Sequence, residues 1–164
     1  EEDKIAAGLP VVDDAGVIGQ VTRLYPFVAE VTLITDKSQA IPVQIVRNGL
    51  RSLVFGLGDG RLELRFMPAN ADIQEGDLLV TSGLDGTYLP GLPVARVTHI
   101  EHDNAYSFAK IICAPVAGVE NFAEVMVLAT TEPLPPRPDP ADAVDGAPEE
   151  KPVVTRKKRP LRQP

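Results

Sequence analysis

Residues 76–95 read Gly76-Asp-Leu-Leu-Val-Thr-Ser-Gly-Leu-Asp-Gly-Thr-Tyr-Leu-Pro-Gly-Leu-Pro-Val-Ala95. A short apolar run, Leu78 to Val80, enters a turn rich in Gly and Asp, and a second apolar run leaves it at Leu92. This is the pattern of two strands joined by a turn. The same unit occurs earlier in the chain. Ile5-Ala-Ala-Gly8-Leu-Pro-Val11-Val12 matches Ile73-Gln-Glu-Gly76-Asp-Leu-Leu79-Val80, and Val17-Ile-Gly-Gln-Val21-Thr22 matches Pro93-Val-Ala-Arg-Val97-Thr98. Leu84 to Gly91 lengthen the second turn. A repeated strand-turn-strand unit predicts two similar small barrels, because closing a small sheet removes the exposed edges that invite aggregation.

The residues between the two copies continue in strand-length runs. Val28–Thr35, Ala40–Val46, Leu50–Phe55 and Arg61–Phe66 each carry β-branched content or polar alternation, the last with Leu62, Leu64 and Phe66 on one face. Tyr106–Cys113 and Glu124–Ala129 come later in the chain. No stretch sustains a helical period with caps. The fold class expected is all-β: two β-barrel-like subdomains at 1–46 and 47–131, then a disordered Pro-rich tail at 132–164.

Composition agrees. The chain is 44% hydrophobic but has no Trp and only 5% aromatic residues, so Val, Ile and Leu must fill the core. Many of the sixteen Pro fall in the tail, which includes Pro133-Leu-Pro-Pro-Arg-Pro-Asp-Pro140; such a segment cannot bury enough apolar area to offset its ordering entropy. Pro135 to Pro138 has Pro-x-x-Pro spacing and reads as a spacer, and Arg156-Lys-Lys-Arg159 reads as a solvated basic end. The net charge is −7, and the tail is nearly balanced, so the acid excess sits on the body. A polyanion is repelled by such a body, so nucleic acid is not expected to be its partner. No apolar stretch approaches the roughly 20 residues that span a bilayer. The opening Glu1-Glu-Asp-Lys4 has no initiator Met, and the chain reads as a fragment whose address lies upstream.

Catalytic candidates fail on spacing. Two β-barrels invite comparison with chymotrypsin-like hydrolases, the alternative considered for function. Ser82, however, sits in Thr-Ser-Gly-Leu-Asp-Gly rather than Gly-Asp-Ser-Gly, and His99 and His102 both come after it within the same expected barrel. On a strand the two histidines point to opposite faces, so with Glu101 and Asp103 they form a polar strand end rather than a metal site. Gly56-Leu-Gly-Asp-Gly60 lacks a subsequent Gly-Lys-Ser/Thr and reads as a hairpin turn. Asp13 and Asp14 sit at a turn apex, where Asp is favoured for its backbone hydrogen bonds. Cys113, the single cysteine, lies in an apolar run and reads as buried. No cofactor, metal or catalytic residue is assigned, and the chain is read as a non-enzyme.

Gly76-Asp77, Thr81-Ser82-Gly83, Gly86, Pro90-Gly91 and Pro93-Val94, with Gly8-Leu-Pro-Val-Val, Gly16-Val-Ile-Gly19-Gln-Val, Leu33-Ile-Thr-Asp36 and Pro42-Val-Gln-Ile-Val-Arg-Asn48, resemble the MreC rod shape-determining proteins over about Ile5 to Leu128. The family's cytoplasmic stub, membrane helix, coiled coil and first barrel strand are not in this sequence. The resemblance implies a non-enzymatic scaffold of wall elongation with two β-barrels on the periplasmic face of the inner membrane. It would be membrane-held only through a segment outside this chain. The implied partners are a second copy in dimers or filaments, a penicillin-binding transpeptidase, MreD and RodZ. Tyr25 and Phe27, flanking Pro26, and Tyr88 and Leu89 on the long loop are the expected protein contacts, because exposed aromatic and apolar side chains serve interfaces. Gly83, Gly86 and Gly91 are expected to set loop shape.

Overall fold

The computed structural model describes residues 5–101, 107–121 and 123–129. Every regular element among them is a strand: β1 (Pro10–Val12), β2 (Val17–Leu24), β3 (Ala29–Leu33), β4 (Ala40–Ile45), β5 (Arg51–Gly56), β6 (Leu62–Arg65), β7 (Leu78–Thr81), β8 (Pro93–Glu101), β9 (Lys110–Pro115) and β10 (Met126–Val127). Six of them close into an antiparallel barrel in the order β4-β5-β6-β9-β8-β7, with β7 returning to β4. The other four make an open sheet in the order β10-β1-β2-β3. The segment 132–164, with its Pro-x-x-Pro spacing and basic run, lies outside the described residues, as do His102, Asp103 and Tyr106.

The internal repeat is visible in individual hydrogen bonds. Gly8 N–H donates to the Val21 carbonyl at 2.7 Å, and its counterpart Gly76 donates to the Val97 carbonyl at 2.7 Å. Val21 N–H returns to the Leu9 carbonyl and Val97 N–H to the Asp77 carbonyl, both at 2.9 Å. The ladder of each hairpin slips at matching places, between Val11 and Val12 in one and between Leu79 and Val80 in the other. β1–β2 and β7–β8 are thus one structural unit used twice, first in the open sheet and then in the barrel.

Strand membership differs from the sequence division at residues 46 and 47. β4 pairs with β5 and β7, so Ala40–Ile45 lie in the barrel, while β10, from the far end of the body, pairs back onto β1. Strand pairing is non-local, and the composition of 40–45 does not say which sheet they join. Arg61–Phe66 also ends differently. Leu62 and Leu64 are fully buried, but Phe66 has φ +63° and turns outward, 60% exposed. The alternation stops at Arg65, because one left-handed residue reverses the direction of its side chain.

One core joins the two units. Val17, Ile18 and Ile34 from the sheet side pack in the same cluster as Ile41, Val54, Leu62, Leu79, Val94 and Ile111 of the barrel. Gly16 makes that contact possible, since a Cβ there would overlap the Pro93 carbonyl at the start of β8. A second tie is Asp13, whose Oδ1 accepts the N–H groups of Ala15 and Gly16 and whose Oδ2 accepts that of Gly118, each at 2.8 Å. Burial pushes this carboxyl up, but the bonds from Gly118, Gly16 and Ala15 together outweigh it and hold it below its usual range. The Asp therefore acts at the turn and in docking the sheet to the barrel.

Candidate functional site

The signature residues are structural supports at one edge of the barrel. Asp77, almost fully buried, accepts Arg47 Nε and Nη2 on its two oxygens at 2.8 and 2.9 Å and the Gln74 N–H at 2.9 Å. Arg47 also donates to Asp72 Oδ2 at 2.7 Å, and Asn48 donates to the Asp72 carbonyl. The Arg47 hydrogen bonds outweigh burial and hold the Asp77 carboxyl below its ordinary range. This fork ties the β4–β5 turn to the entry of β7. Sequence reasoning quoted both Asp77 and the run that contains Arg47 but did not pair them, because the thirty residues between them carry no local signal.

Thr81, fully buried, donates its hydroxyl to the Leu89 carbonyl and accepts the Leu92 N–H at 2.9 Å, folding the long loop back on its own stem. Gly83, at φ +71°, stacks on Pro90, where a Cβ would press on the ring. Gly76, Gly86 and Gly91 also have positive φ. Gly19 instead packs flat against the Thr32 carbonyl on β3. Asp36 Oδ1 accepts the Ser38 hydroxyl and N–H at 2.6 and 2.8 Å, and the Ser38 bonds hold it below its usual range. The Ser82 hydroxyl accepts the Leu84 N–H, while His99 on β8 stands between Glu75 and Glu101 at 3.6 and 3.7 Å. The catalytic-looking residues are thus engaged in loop and surface contacts.

The four expected contact residues separate. Phe27 is 98% exposed and Tyr25 54%, with Leu24 and Val28 also exposed, so the turn between β2 and β3 is an apolar tip. Leu89 is 41% exposed on the long loop. Tyr88 corrects the expectation: it is 4% exposed and belongs to the core cluster. Its hydroxyl is pushed up to about 12, chiefly by burial and secondly by the Asp85 charge. A ring beside an exposed leucine on a Gly-rich loop reads as surface from sequence; the loop's fold onto Thr81 turns it inward. Sequence also missed a second apolar surface. Leu50, Phe66, Met67 and Pro68, with Arg51 and Asp72, line a groove of about 470 Å³ beside the β4–β5 turn.

These features define an all-β module, a closed barrel with a docked open sheet, whose exposed distinguishing features are apolar surfaces. It belongs to the MreC family: the family described as rod shape-determining protein MreC, barrel core, matches residues 1–129. The cell shape-determining protein MreC of Haemophilus influenzae is 40% identical over 129 residues, covering 78% of this chain and 37% of that protein. This chain thus spans little more than a third of that relative's length. The crystal structure of MreC from Pseudomonas aeruginosa is similar with TM-score 0.75 and 43% identity, covering 76% of this chain and 81% of that one. A complex between a penicillin-binding protein (PBP2) and MreC from Helicobacter pylori contains a chain similar with TM-score 0.56 and 28% identity, covering 73% of this chain and 72% of that one.

Proposed function

We propose that this chain is the non-enzymatic, periplasmic β module of a scaffold for cell-wall elongation. The scaffold keeps cells rod-shaped by associating with itself and by holding a penicillin-binding transpeptidase, with MreD and RodZ as further partners. It reaches the inner membrane through a segment outside this chain. The observation that carries this reading is the apolar tip: an almost wholly exposed Phe27 beside Tyr25, at the end of a hairpin whose base is locked to a closed barrel. Exposing such side chains is unfavourable unless a partner covers them. A rigid base lowers the entropy lost on docking. The complex of the Helicobacter pylori relative with a penicillin-binding protein supports the choice of partner. Leu89, on the loop braced by Thr81, is a second contact.

The test is a double variant, Tyr25→Ala with Phe27→Ala, titrated against the elongation transpeptidase of the same cell. Affinity is expected to fall by about tenfold or more, as for truncation of aromatic anchors, while circular dichroism is unchanged. Wild-type affinity in the folded double variant overturns this use of the tip.

A further inference from the structure

Three features of the body share one end. Val11 pairs with Val127 and Val12 with Met126 in antiparallel register, so β10 runs back towards the point where β1 begins. β2 extends past that point: Pro10 stands opposite Gln20, and the strand continues to Leu24 at the apolar tip. The approach of the chain to β1, its departure from β10 and the tip therefore lie in the same direction. Where the upstream segment is held in a membrane, residues 130–164 set out from the end of the body nearest to that attachment.

Charge is sorted along the chain. Residues 1–131 hold nine Lys and Arg against seventeen Asp and Glu, a net of −8. Their cations are largely engaged already: Arg23, Arg47, Arg61, Arg65 and Lys110 each face a carboxylate. Residues 132–150 hold six carboxylates and a single cation, Arg137, a net of −5. Residues 151–164 hold six cations, Lys151, Arg156, Lys157, Lys158, Arg159 and Arg162, and no Asp or Glu, a net of +6. A block of like charge with no partner of its own is attracted to a surface of opposite sign.

We infer that the basic run at 156–162 binds the anionic phospholipid surface of the membrane beside which the module is held, as a second attachment besides the upstream segment. The 26 residues 130–155 span at most about 3.3 Å each, roughly 85 Å in all, so a bilayer need not touch the body for the run to reach it. Several Lys and Arg on one short stretch add their attractions to anionic headgroups. The acidic block and the acidic body are repelled by the same surface. Contact is thus confined to the basic run, and the apolar tip is left free for a protein partner. The inference rests on the proposed function's reading of the module as membrane-held.

The test is co-sedimentation of the 164-residue chain with vesicles at low ionic strength. Vesicles of equal parts phosphatidylglycerol and phosphatidylcholine are expected to bind it about tenfold or more tightly than phosphatidylcholine alone, and added salt should release it, since exposed charges are screened. A chain ending at Glu150 keeps every described residue, so its circular dichroism should show the same folded body, yet its preference for anionic vesicles should vanish. Reversing two charges at full length, Lys157→Glu with Lys158→Glu, should remove most of that preference. No preference in wild type, or an equal one in the chain ending at Glu150, overturns the proposal. Loss of binding in Phe27→Ser with retention in the charge-reversed chain gives the membrane to the tip and also overturns it. So does a wild type that ignores vesicles but binds a DNA duplex, which makes the basic run a site for soluble polyanions. A chain that binds the transpeptidase but not the vesicles removes this inference alone. One that binds the vesicles in the pattern described but not the transpeptidase leaves the inference standing and removes the proposed use of the tip.

Discussion

The barrel and the four-stranded sheet begin from the same hairpin and end differently. In the barrel, β7–β8 is flanked by β4 and β9, and β5 and β6 bridge those two into a ring. In the sheet, β1–β2 is flanked by β10 and β3, and no described strand bridges them. A ring pairs its own backbone groups and encloses its apolar faces; an open sheet leaves edges and end residues to solvent. The contrast predicts that stability is concentrated in the barrel.

That contrast can be broken by mutation. The largest effect is expected for Leu64→Ala, which empties a fully buried site in the barrel and should cost about 2–5 kcal/mol in urea denaturation. Val21→Ala in the sheet should cost about half as much; a larger loss there reverses the assignment of the stable unit. Gly16→Ala sharpens the comparison at the joint, because the new methyl overlaps the Pro93 carbonyl. It should cost about 3 kcal/mol by overpacking, and amide exchange should rise in β1 and β2 before it rises in β6 and β9. Equal exchange in both units would show that they unfold as one.

Asp77→Asn should cost about 2 kcal/mol at pH 7, the scale of hydrogen bonds to a charged group. Because the Arg47 hydrogen bonds hold the folded carboxyl below its unfolded value of about 3.9, its contribution is present above that pH and is lost as pH falls through the folded value. The stability gap between wild type and variant should therefore be full at neutral pH and shrink below about pH 4; a gap that widens in acid contradicts the Arg47–Asp77 account. The smallest effect is expected at the tip. Phe27→Ser should change thermal stability by no more than about 0.5 kcal/mol, since an almost fully exposed ring supports nothing beneath it.

Local chemistry made much of this legible. Leu62 and Leu64 alternate as a strand with one buried face should, and Asp13 caps its turn as an Asp at an apex should. The hairpin repeat could be aligned by eye and is matched bond for bond. What stayed hidden depends on distant partners. Nothing within 40–45 says that they complete a barrel with β7, and nothing near Arg47 points to Asp77. Phe66 looked like the third member of an apolar face because a period of two cannot anticipate one left-handed residue. Tyr88 looked exposed because its loop's fold depends on the buried Thr81 hydroxyl.

The return of β10 to β1 has a mechanical consequence. Val11 lies beside Val127, and Leu128 N–H reaches the Pro10 carbonyl, so the chain enters and leaves the module at neighbouring points. The barrel is in effect an insertion within the sheet. Tension applied between the chain on the N-terminal side of Pro10 and the chain on the C-terminal side of Leu128 would peel the short β1–β10 ladder apart one bond at a time, at low force. The barrel would remain slack and shielded until that seam had parted.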